Sequence, residues 1–142
     1  MRQFLEKFKS MAKEIADERG ELALFALFLR EDTEKWDLVV AAPWVKTDSM
    51  EDYKYMADKL KQYLEISYLL SISRIVLLDI SDSIVQIINN YCKVIHGDPP
   101  FELYPFSIGL SFVKYAYIII SISTTGKPVL VNVSKRHLRQ SI

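Results

Sequence analysis

Five side chains hold most of the chemistry that could be expected of this chain: Asp37, Asp79, Asp82, His96 and Asp98. Asp79 comes late in the apolar run RIVLLDI (74–80), and Asp82 follows at a helix start. Two carboxylates at the carboxyl end of a strand could hold Mg²⁺ or orient a hydrolytic water. The same residues have a simpler use, Asp79 in fixing the loop and Asp82 or Ser83 in capping the helix, and capping needs no further partner. His96-Gly97-Asp98 could supply an imidazole oriented by a carboxylate, a general base. Cys92 stands four residues before His96, one turn away if the helix extends that far, where a thiol and an imidazole could pair. An ordinary helix end accounts for the same residues, with His96 near the negative end of the dipole and Gly97 as the cap. Asp37 sits inside the strand-like run WDLVVAAPW (36–44). A nuclease that joins such an Asp to a Glu-x-Lys pair would need an acid two residues before Lys46, and Trp44 is there.

Several chemistries lack their residues. A zinc site would have to combine Cys92, His96, Asp98 and His137, with no Cys-x-x-Cys or His-x-x-x-His spacing among them. The four glycines, Gly20, Gly97, Gly109 and Gly126, are too scattered for a phosphate cradle or a dinucleotide fingerprint. No nucleophile elbow is present. The sequence therefore predicts no cofactor and no bound metal. A single cysteine excludes an internal disulfide framework and suits a reducing compartment.

The formal net charge is zero, with 18 basic and 18 acidic residues among 142, half of which are hydrophobic. Residues 1–71 carry 11 basic and 14 acidic side chains, residues 72–142 only 7 and 4. A segment so poor in charge suits buried or partner-covered strands. Its basic end, Lys135, Arg136, His137 and Arg139, could touch phosphates, but three fixed charges more simply serve solubility, so nucleic acid is disfavoured as a partner. The stretch 103–126 is long enough to span a bilayer, yet Lys114 falls near its middle among four serines, Pro105 and Gly109, and two strands explain it better. Leu22–Leu29 follows acidic rather than basic residues, unlike an export signal. The expectation is no membrane span and a cytoplasmic address.

The elements that must position these residues follow from hydrophobic spacing. Phe4, Phe8, Met11 and Ile15 define a helix over 3–19 that Gly20 should end, with charges opposed to its dipole. Leu22–Leu29 and Trp36–Trp44 read as a hairpin, the second strand ending at Pro43. A long helix is predicted over 49–69, with Asp48 and Glu51 as a capping box and Tyr55, Ile66 and Leu69 as a second apolar face. A buried strand over 74–80, an apolar helix from Ile84 towards Ile95, and strands near 102–112, 115–123 and 129–133 complete the order α-β-β-α-β-α-β-β-β. The result is one α+β domain over 1–142, with a mixed, mostly antiparallel sheet and about three helices. Its expected core includes Phe8, Met11, Ile15, Leu24, Ala26, Val39, Leu60, Leu64, Val76, Leu78, Ile84, Ile88, Ile118 and Ile120.

Two functions compete. The first is a non-catalytic binding or assembly module that self-associates, by default as a two-fold dimer and with room for another protein partner, through Tyr55, Ile66 and Leu69 or the strand at 115–123. The second is a small metal-dependent hydrolase or nuclease-like enzyme built on the strand-end carboxylates. Convergence of three or more of the polar candidates in one cleft would favour the enzyme. The absence of a complete site in the sequence favours the module.

Overall fold

The computed structural model describes residues 1–108 and 111–124. The chain runs α1 (Arg2–Arg19), β1 (Leu24–Arg30), β2 (Trp36–Ala41), α2 (Met50–Tyr63), α3 (Ile66–Leu69), β3 (Ile72–Leu78), α4 (Ser83–Tyr91), β4 (Phe101–Leu103), β5 (Phe106–Ile108) and β6 (Ser111–Ser121). The strands make a six-stranded mixed sheet in the order β3-β2-β1-β6-β4, with β5 also on β6. Among the described strands only β2 and β3 run parallel. The fold is α+β, as the alternation of helical and strand periods predicts.

Central placement of β1 explains why LFALFL is apolar on both faces. Phe25 and Leu27 face the layer of α1 and α2, while Leu24, Ala26 and Phe28 face α4. On the first side α1 buries Phe4, Phe8, Met11, Ala12 and Ile15, the stripe its spacing predicts. Gly20 ends the helix at φ 113°, a backbone value that L side chains rarely adopt. Its carbonyl then accepts the Trp44 indole N–H at 3.3 Å. Of the fourteen expected core residues, twelve are buried; Val76 and Leu78 are half-covered because β3 ends the hydrogen-bonded strand order.

The predicted helix over 49–69 is two helices. Leu64 turns to extended backbone, φ −109° and ψ 135°, and its side chain enters the core. The break lets α3 turn, so that Tyr68 meets Phe4 at 5.3 Å between ring centroids. The cap of α2 is Ser49 rather than Asp48: its hydroxyl accepts the Asp52 N–H at 3.1 Å. Asp52 instead turns inward, accepting from the Lys46 N–H at 2.9 Å and pairing with Arg19 at 3.2 Å. The helix towards Ile95 stops at Tyr91, because Val94 exchanges two backbone hydrogen bonds with Ser121. The strand expected over 102–112 is divided between β4, β5 and the start of β6, and Pro105, which lacks an N–H for a ladder, separates β4 from β5. The turn beyond Thr124, the strand at 129–133 and the basic end at 135–139 lie outside the described residues.

A charged clamp locks α1 to α2. The Lys59 ammonium is buried and binds Glu14 and, at 2.8 Å, Glu18; Tyr55 donates its hydroxyl to Glu18 at 2.6 Å. Arg19 stacks over Tyr55, 4.1 Å from the ring centroid. The Lys59 hydrogen bonds hold both glutamate carboxyls below their ordinary value of 4.5. Groups whose folded values are depressed stabilise the fold above the unfolded value, and that contribution is lost as pH falls through the folded values. Urea midpoints should therefore drop as pH falls below the ordinary glutamate range. Lys59→Met should flatten that part of the profile; an unchanged acid limb in the variant would contradict the clamp.

Candidate functional site

The two faces of the sheet are covered unequally. Among the described residues, α1 and α2 span the strands on one face, and on the other α4 is a single nine-residue helix. Two neighbouring concavities flank α4, and Ile84 lines both.

The smaller, of about 180 Å³, has Arg30, Asp37, Arg74 and Asp82 in its lining. Strand alternation aims Phe28, Asp37, Val39, Val76 and Leu78 at α4, and the parallel register sets Asp37 beside Arg74. Asp37 is 2% exposed. Its Oδ2 accepts from Arg30 Nε at 2.8 Å and from Arg74 Nε at 3.1 Å. Among the described residues, Oδ1 is buried with no hydrogen-bond partner. An unmet buried acceptor costs about 1–3 kcal/mol, so its presence beside a cavity asks for an explanation. Arg30 also reaches Asp32 through Nη1 at 3.3 Å. Asp82 also lines this cavity, and its Oδ1 caps α4 by accepting the Ile84 N–H at 2.9 Å.

The larger concavity, of about 580 Å³, is a groove between α4 and the segment 101–107. Ile84, Ile87, Ile88 and Tyr91 form one wall, Phe101, Leu103 and Phe106 the other. Tyr91 and Phe101 meet edge to face at 5.9 Å. Apolar groups continue onto the surface, where Ile87 is 57% and Tyr104 67% exposed. Among the described residues Glu102 is the only charged one in the lining, and it accepts a hydrogen bond from the Tyr115 hydroxyl.

The structure brings Asp37 and Asp82 to one cavity and leaves Asp79, His96 and Asp98 off its lining. Asp79 accepts from the Ser81 N–H and hydroxyl at 2.9 and 2.7 Å, bonds that lower its carboxyl pKa. Asp98 accepts from the Ile95 N–H at 3.0 Å, and His96 lies 3.3 Å from Glu21. Cys92 is outside the helix, and burial pushes its thiol up to about 11. Among the described residues, no cluster of three or more His, Cys, Asp or Glu could hold a metal ion, and no helix is long and apolar enough to cross a membrane. The residues named for an interface are on separate helices: Tyr55 is held in the α1–α2 clamp, while on α3 Ile66 is 70% exposed and Leu69 packs on the core. Sequence reasoning missed Arg30 and Arg74. A mid-strand acid inside an apolar run calls for basic partners, and both arginines bound neighbouring apolar runs, but it takes the β1–β2 pairing to identify Arg30 and the β2–β3 pairing to identify Arg74. Comparisons with protein-family models, with curated proteins and with solved structures found no match for the chain.

Proposed function

We propose that the protein is a non-catalytic binding module that assembles with a second copy of itself through the groove beside α4. The supporting observation is an apolar groove of about 580 Å³ bordered by the protruding side chains of Ile87 and Tyr104. A surface that offers an apolar hollow and an apolar projection side by side can be complementary to itself across a two-fold axis, each copy filling the other. The near absence of charge among the described lining residues disfavours a strongly charged partner. The strand-end carboxylates support hydrolysis less well, because Asp79 and Asp82 are engaged in the turn and cap that join β3 to α4.

Light scattering and sedimentation across a concentration series test the proposal. A dimer at micromolar concentration is the expected result, weakened at least about tenfold by Ile87→Glu, a change at an exposed site that should leave the monomer folded. A monomer throughout, or a dimer indifferent to Ile87→Glu, would reject the groove. Splitting by Ile66→Glu instead would move the interface to α3.

A further inference from the structure

We propose that the cluster of Glu102, Tyr104, Tyr115 and Tyr117 on the β4–β6 pair binds a small free organic cation of the quaternary ammonium class. The register sets Glu102 opposite Tyr117, and Tyr115 and Tyr117 pack against the core on the α1 side of the sheet, away from α4. Tyr104, just past β4, meets Tyr115 with 5.5 Å between ring centroids and 80° between ring planes; Tyr115 meets Tyr117 at 5.1 Å and 55°. The rings therefore form a corner and not a flat stack. Glu102 joins that corner, because its Oε1 accepts the Tyr115 hydroxyl. Glu102 is exposed, Tyr104 is 67% exposed, and Tyr115 and Tyr117 are half-buried, so the cluster meets solvent.

Charge narrows the guest. The face of an aromatic ring is negative and attracts a cation, and a carboxylate beside it adds to the attraction. Among the described residues no ion pair engages Glu102. The cation–π contacts there are those of Arg19 and Lys59 with Trp44 and Tyr55, none with these three rings. An anion is repelled by Glu102, and a neutral apolar guest gains nothing from it. A primary ammonium brings three N–H donors that each want an acceptor, and this cluster is mostly ring surface. A quaternary ammonium has no N–H; its methyl groups need ring faces and a nearby negative charge, and both are present. The site does not rest on the proposed self-association, although Glu102 and Tyr104 also border the groove beside α4.

NMR of the full chain with labelled tyrosine rings tests the site, using choline as the probe and 3,3-dimethylbutanol, its uncharged carbon isostere, as the control. Choline at millimolar concentration should shift the signals of Tyr104, Tyr115 and Tyr117 and leave that of Tyr53, which is 42% exposed on α2, in place. Glu102→Gln and Tyr104→Ala should each weaken the response about threefold, the size expected of an exposed ion pair or cation–π contact. Both substitutions are at exposed positions, and the dispersion of the remaining ring signals reports whether the fold is kept. The same titration on Ile87→Glu tells this site apart from self-association. Shifted rings with a monomer mass support the cation site and reject the assembly, whereas silent rings in both chains overturn the cation site. Equal shifts from dimethylbutanol, a Tyr53 signal that moves with the cluster, or a response indifferent to Glu102→Gln would overturn it as well.

Discussion

Phe25→Ala should be among the most damaging single truncations in the protein, costing about 3–5 kcal/mol. Phe25 is fully buried on the central strand, and its ring lies 6.3 Å from that of Phe8 on α1. Removing the ring takes away its transfer free energy and opens a void between β1 and α1. The surrounding groups are poorly placed to close it, because β1 is held on one side by β2 and on the other by β6. Domains are stable by about 5–15 kcal/mol, so this one change would consume a large share. Urea denaturation followed by circular dichroism gives the number. A loss below about 1 kcal/mol would mean that α1 is not seated on β1 as described.

Asp37→Leu should cost about 3 kcal/mol, for a different reason. The variant leaves two guanidinium groups without their shared acceptor, and breaking a buried ion pair by removing one partner typically costs about 3–5 kcal/mol. The lower end applies because the Arg74 side chain is 54% exposed and can turn into water, whereas that of Arg30 is 22% exposed. The triple change Arg30→Met, Asp37→Leu, Arg74→Met should recover most of the loss, since an apolar replacement of the whole group removes the desolvation cost along with the attraction. Equilibrium unfolding of the wild type, single and triple variants separates the two effects. If the triple variant is no better than the single, the damage comes from packing around β2 and not from unpaired charge.

The elements were legible wherever one period dominated. The stripe of α1, the two-faced apolar run of β1 and the apolar face of α4 all follow from spacing. Boundaries failed where tertiary contacts outweighed local preference. The apolar pattern of the second helix continues past Leu64, but burial of Leu64 in extended backbone ends the helix there. The Val94–Ser121 bridge likewise takes residues that sequence spacing would add to α4. The candidate site was less legible because its members are brought together by pairing. Arg30 and Asp37 are on adjacent strands of a hairpin, but Arg74 joins them only through the parallel register of β2 and β3. Asp79 and Asp82 looked chemical for the same reason that they make good turns and caps: a short carboxylate serves a backbone N–H as readily as a metal.

The place of β1 between β2 and β6 also governs how the chain must fold. β2 follows β1 after a short turn, but the partner on the other side is about a hundred residues away, Leu24 against Ser121. Closing so distant a pair is entropically slow, and sheets dominated by non-local pairing fold on the slow side of the range. During synthesis at about 5–20 residues per second, the open edge of β1 would wait about 5–20 seconds for β6 to emerge. Through that interval a strand that is apolar on both faces presents unpaired N–H and C=O groups, a template for other unfolded chains. The hazard of aggregation then depends on how long that edge stays open, a quantity separate from the stability of the finished fold.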